Sequence, residues 1–261
     1  MPVPFFQVDA FTRTRFSGNP AAVMLLDAYP GDDVLTAIAA ENNLSETAFL
    51  VREGADYRLR WFTPKVEVPL CGHATLASAA VVMERLEPSR RQVTFHTASG
   101  ALPVTRTDSG YVLDFPARAS ESVPVPAGLA EALGVMPEDV RINAFTYLAL
   151  VADAALVRAL TPDLAAIAAL DRPGVIVSAP GDGPFDVVSR YFAPAKGIPE
   201  DPVTGAAHTT LAPYWGDRLG KTTLFAHQAS ARGGEMTCTL TGDRVLLEGA
   251  CVFVIEGQAE I

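Results

Sequence analysis

The sequence predicts an α+β fold of two similar halves, in which β-strands wrap around buried helices. Three observations carry it. Short β-type segments recur along the chain, two helical segments are small or apolar on every face, and an ordered motif series repeats at half the chain length.

Taken in order, residues 4–11 alternate, residues 22–26 are continuously apolar, and residues 57–62 alternate with aromatics, so each reads as a strand. Between them, residues 31–42 carry Asp32 and Asp33 at the start and Ala37, Ile38 and Ala40 beyond, the pattern of a surface-packed helix. After Gly72, residues 74–83 have no polar face, which places that helix inside a core. A third helix begins near Thr204; Pro213 is expected to disturb it and Trp215 to close it.

The repeat accounts for two buried helices. Arg60-Trp61-Phe62-Thr63-Pro64 matches Arg190-Tyr191-Phe192-Ala193-Pro194 at an offset of 130. After a three-residue insertion, Pro69 falls on Pro202, Gly72 on Gly205, Gly100 on Gly233 and Val112-Leu113 on Val245-Leu246. Periodicity lapses over residues 117–127, so the expected halves are 1–117 and 118–261, with the last strand free to cross back to the first half.

Composition narrows the function classes. The 261 residues carry 20 basic and 30 acidic side chains, a net charge of -10, with no basic cluster, which argues against nucleic acid or an anionic membrane as partner. No run of eighteen apolar residues is present, and residues 1–11 show neither a basic leader nor an apolar core, so no membrane span or secretory signal is expected. Cys71, Cys238 and Cys251 are an odd number with no Cys-x-x-Cys pair, the usage of a cytoplasmic protein with reduced thiols. His96, His208 and His227 lack metal-ligand spacing and no Gly-x-Gly-x-x-Gly follows a strand, so no metal or dinucleotide cofactor is expected. Gly216-Asp217-Arg218-Leu219-Gly220-Lys221-Thr222 has one residue too few for a P-loop and reads as a turn.

Chemistry concentrates where each half starts its buried helix: Leu70-Cys71-Gly72-His73-Ala74-Thr75, and Asp201-Pro202-Val203-Thr204-Gly205-Ala206-Ala207. Backbone N–H groups at such starts bind anions, and two of them facing one cleft would hold a small anionic metabolite. Taken singly, each glycine could simply let helix and strand pack closely. Cys71 reads either as a thiol activated at a helix start or as a small buried hydrophobe; its counterpart is Thr204, so a two-thiol racemase would lack one base. His73, in a first helical turn, is expected to be neutral, as an acid–base group or as a backbone cap. Asp201 could be no more than a charge complementing the helix dipole. Glu46 enters an apolar strand, where burial would raise its pKa and suit it to general base catalysis.

Four segments together resemble the PhzF-like family, named for phenazine biosynthesis, whose fold is shared with diaminopimelate epimerase and proline racemase. They are Phe16-Ser17-Gly18-Asn19-Pro20-Ala21-Ala22-Val23, Leu44-Ser45-Glu46-Thr47-Ala48-Phe49, Cys71-Gly72-His73-Ala74-Thr75-Leu76, and Arg190-Tyr191-Phe192-Ala193-Pro194 leading to Glu200-Asp201-Pro202-Val203-Thr204-Gly205. The likeness covers nearly the whole chain. It implies two halves, each a curved sheet around a central helix, with the active site between them, and a cofactor-independent isomerase in which Glu46 moves a proton between carbons. By the same resemblance His73 and Asp201 are supporting polar residues. Asn19, Cys71, Gly72, Ala74, Thr75, Thr204, Gly205 and Ala206 fall at the substrate. Two positions depart from the family pattern: Ala206 stands where a serine is frequent and Pro69 where an acidic residue is frequent. An epimerase using Cys71 as one base, and a binding protein of the same fold without turnover, are the alternative readings. Exposed β edges and family habit lead to the expectation of a homodimer.

Overall fold

The computed structural model describes residues 2–261. The chain forms two compact units, Met1–Asp114 with Leu247–Ile261, and Phe115–Leu246. Met1, the first residue of the segment 1–11 in which no leader is expected, lies outside the described residues. The fold class is mixed α+β, as the sequence predicts, with strands outnumbering helices.

Unit one opens with the hairpin β1 (Pro2–Ala10) and β2 (Asn19–Leu26), followed by α1 (Asp32–Asn42), β3 (Glu46–Glu53), β4 (Asp56–Phe62) and the short β5 (Glu67–Val68). Then come α2 (Gly72–Val81), β6 (Gln92–Thr97), β7 (Gly100–Arg106) and β8 (Tyr111–Pro116). Strand β2 runs parallel to β3, β3 antiparallel to β4, β4 parallel to β6, and β6 antiparallel to β7. Helix α1 buries only Leu35 and Ala39, which pack with Met24, Leu26, Phe49 and Phe62 in a satellite core. Helix α2 buries every residue from His73 to Val81 and packs on β1, β2 and β3, as its uniform composition requires.

Unit two holds β9 (Glu121–Val123), α3 (Leu129–Leu133), β10 (Asp139–Ile142), β11 (Thr146–Leu150), α4 (Ala154–Ala159) and α5 (Leu164–Ala168). It continues with β12 (Gly174–Pro180), β13 (Val187–Phe192), α6 (Gly205–Leu219), β14 (Thr223–Gln228), β15 (Gly234–Thr241) and β16 (Arg244–Gly249). Its pairings follow the same succession: β11 parallel to β12, β12 antiparallel to β13, β13 parallel to β14, β14 antiparallel to β15. The last strand, β17 (Cys251–Glu260), belongs to unit one and pairs antiparallel with β1 along its length.

Helix α6 differs from expectation. It runs through Pro213 and past Trp215 to Leu219, and Gly220 caps it in the left-handed conformation, φ 64°. Proline has no N–H, so Thr209, four residues earlier, loses the helical donor to its carbonyl. The backbone N–H of Arg118 supplies that donor instead, at 2.9 Å. The P-loop-like segment is accordingly the last turn of α6 and its cap. No helix among the described residues is long and apolar enough to cross a membrane.

Candidate active site

In unit one, three local features bring four polar side chains to one buried point. Asn43 ends α1 in the left-handed conformation, φ 48°, and turns the chain into β3 with Glu46 as its first residue. Gly18, φ 69°, precedes Asn19, the first residue of β2; a Cβ there would lie 2.3 Å from the Ala10 carbonyl oxygen, so only glycine fits. Cys71 is the N-cap of α2 and His73 lies in its first turn.

His73 is the hub. Its Nε2 is 3.2 Å from Glu46 Oε2. Its Nδ1 is 3.2 Å from Asn19 Nδ2 and 3.5 Å from Cys71 Sγ. Glu46 is 7% exposed and His73 5%, and Asn19 is fully buried. Burial pushes the His73 pKa down to about 3, against a weaker upward pull from the Pro20 carbonyl, so the ring is neutral at pH 7. The sequence finds no metal spacing here, yet the ligand atoms of Glu46, Cys71 and His73 all lie within 4.8 Å of one another, a mixed donor set compatible with a cation.

Asp9 is a supporting residue that the sequence reading missed. It is buried on β1, and its carboxylate accepts the Phe16 N–H at 2.7 Å, fixing the loop that leads to Asn19. The Thr75 N–H and hydroxyl both donate to the Cys71 carbonyl, at 3.2 and 2.5 Å. The first-turn N–H groups of Gly72, His73 and Ala74 have no preceding helical carbonyl to bond.

In unit two, the segment from Asp201 to Thr204 is braced in place before α6. The Thr204 hydroxyl donates to Asp201 Oδ2 at 2.5 Å, and the Asp201 N–H donates to the Tyr191 carbonyl. Gln228 on β14 ties the segment together: its Oε1 accepts the Thr204 N–H at 2.8 Å, and its Nε2 donates to the Asp201 carbonyl at 2.7 Å. Nothing in the sequence distinguishes this glutamine from any polar strand residue. Gly205 is buried and Ala206 exposed. His208, fully buried, donates from Nδ1 to the Thr204 carbonyl at 2.8 Å, and burial pulls its pKa down to about 4.

A buried carboxyl group beside a neutral imidazole, at the start of a buried helix, is an arrangement able to carry a proton. Comparison with known proteins gives the family. The model of the PhzC-PhzF family, described as phenazine biosynthesis-like protein, matches residues 8–257. The chain belongs to this family. It is similar over the full length of both chains to an uncharacterized isomerase of Pseudomonas aeruginosa, with 51% identity. A crystal structure of a PhzF-family phenazine biosynthesis protein from Enterococcus faecalis superimposes with a TM-score of 0.97 at 44% identity, covering 100% of both chains. A probable proline racemase from Agrobacterium radiobacter, at 13% identity, shares the fold with a TM-score of 0.62 over 99% of this chain and 93% of that one.

Proposed function

We propose that the protein is a cofactor-independent isomerase that moves a proton between carbons of a small carboxylate-bearing metabolite, with Glu46 as general acid and base. The contact of Glu46 with His73 carries this reading, and the names of the relatives agree with it. The amide of Asn19 donates to His73 Nδ1 and so keeps the ring proton on Nε2, facing Glu46. As carboxylate, with His73 Nε2–H beside it, Glu46 removes the proton from an activated C–H; between the two steps it holds that proton as the neutral acid, and it then returns the proton to another carbon. The first-turn N–H groups of Gly72, His73 and Ala74 hold the substrate anion. For unit two the equivalent assignment is Gly205 and Ala206 as donors, with Asp201 as the adjacent polar group. Cytoplasmic location and homodimeric assembly belong to the same proposal.

The test is proton exchange in deuterium oxide, followed by NMR on a panel of small unsaturated carboxylates. Wild type introduces deuterium into a substrate. Glu46→Gln, which keeps the shape and removes the base, slows this about 10²–10⁴-fold; a variant with near wild-type exchange overturns the assignment. The position of Cys71 Sγ beside His73 favours one second reading, an epimerase with the thiol as partner base. Cys71→Ser keeps its rate if Glu46 acts alone and loses it if the thiol is the second base.

A further inference from the structure

Glu46, Cys71 and His73, beyond their capacity for proton transfer, form a set of metal ligands. Among the described residues they are the one group of three His, Cys, Asp or Glu side chains whose ligand atoms all lie within 4.8 Å of one another. All three are buried. Local structure brings them together: Cys71 is the N-cap of α2 with His73 in its first turn, and the parallel register of β2 and β3 sets Glu46 against Ala21, two residues beyond Asn19.

A tetrahedral Zn²⁺ ion holds an imidazole nitrogen and a carboxylate oxygen about 3.3–3.5 Å apart. His73 Nε2 and Glu46 Oε2 already stand at 3.2 Å. The same ion holds nitrogen and thiolate sulfur about 3.5–3.6 Å apart. Cys71 Sγ lies 3.5 Å from the other ring nitrogen, Nδ1, and within the 4.8 Å group. An ion on Nε2 therefore asks for a shift of roughly an ångström from a thiol that turns about one side-chain bond. Thiolate, imidazole and carboxylate are the donors of a borderline-soft cation, whereas Mg²⁺ and Ca²⁺ take oxygen ligands. One thiolate and one carboxylate are balanced by one divalent ion, so the occupied site is neutral, as burial demands. On binding, the thiol proton leaves to solvent. The ion replaces the proton on Nε2, and the ring proton moves to Nδ1, 3.2 Å from the amide nitrogen of Asn19. With that amide turned, its oxygen accepts the Nδ1 proton and orients the ring from the outer shell.

We propose that Glu46, Cys71 and His73 bind a single Zn²⁺ ion, and that this ion inhibits proton transfer by occupying the Glu46 carboxylate and His73 Nε2. The inhibition rests on the proposed function; the binding does not. The experiment is titration of the metal-free full chain with Zn²⁺ in competition with a chromogenic chelator, and with Co²⁺ as spectroscopic probe. It is run on wild type, Cys71→Ser, His73→Gln and Cys251→Ser, each first melted to establish folding. Serine is a favoured N-cap, so Cys71→Ser keeps the start of α2. Wild type and Cys251→Ser take up one ion per chain, and bound Co²⁺ shows the thiolate-to-metal absorption of a tetrahedral site. Loss of an outer-shell partner costs metal affinity about 10–100-fold, so Cys71→Ser and His73→Gln, which remove a ligand, lose at least about 100-fold. The thiolate absorption vanishes in Cys71→Ser. In the exchange assay, one equivalent of Zn²⁺ stops deuterium incorporation by wild type, and a chelator restores it. Wild-type affinity in Cys71→Ser, or no uptake of Zn²⁺ by wild type, overturns the site; undiminished exchange by the Zn²⁺-loaded protein overturns the inhibition. Uptake through Cys71 in a protein that shows no exchange even when metal-free would leave the site standing while the proposed function fails.

Discussion

At the scale of single residues, burial of imidazole governs both chemistry and stability. His73 and His208 have pKa values of about 3 and 4 in the fold, against 6.5 for an exposed ring. Between those values the unfolded chain binds protons that the native state refuses, so stability is full above pH 6.5 and falls as pH drops toward 4. Each ring contributes up to about 1.4 kcal/mol per pH unit within that window. The carboxylates with lowered pKa, among them Glu87, Asp186 and Glu256, lose their contribution only below the ordinary carboxylate range, so the interval from pH 6.5 to 4.5 belongs to histidine. Urea unfolding at pH 7.0, 5.5 and 4.5 is expected to show this decline, with a shallower slope in His208→Gln; a flat profile would contradict it. Glu46 and His73 were legible in sequence because each sits within a short motif whose local structure places it. Asp9 and Gln228 were not, since their roles arise from loop backbone that only the folded chain brings to them, seven residues on for Asp9 and more than twenty back for Gln228, and an isolated polar residue in a strand carries no mark of such a partner.

Among the elements, α6 shows how a distant donor overrides a local rule. A proline within a helix interior ordinarily costs about 3 kcal/mol, partly through the carbonyl it leaves without a donor. Arg118 fills that vacancy, so the helix continues where the sequence pattern predicts an interruption. In Pro213→Ala the restored N–H competes for the Thr209 carbonyl, and the Arg118 amide should exchange its hydrogen severalfold faster, as read by hydrogen exchange. Unchanged exchange at Arg118 would show that the anchor does not depend on the proline. Helix α2 behaves oppositely: nine buried residues in sequence leave no doubt about its place, and its composition alone announces it.

Across the whole molecule, the offset between Gly72 and Gly205 finds its counterpart in two units with the same succession of strand pairings, each with a glycine as the first residue of its buried helix. The division of the chain is less simple than two consecutive halves, because β17 returns to pair with β1. Nothing in the local pattern of residues 251–260 identifies that partner, since strand pairing is set by tertiary contact. Deletion of residues 251–261 is expected to leave one edge of β1 open and to promote self-association, seen as concentration-dependent elution in size-exclusion chromatography. A deletion variant eluting as the full chain does at every concentration would refute this.

The pairing of β1 with β17 also orders events during synthesis. Every residue of unit two leaves the ribosome before unit one can close, so the half bearing Glu46 and His73 waits with an unpaired strand edge until translation of the final strand. The proposed acid–base centre is therefore housed in the part of the molecule that is begun first and finished last.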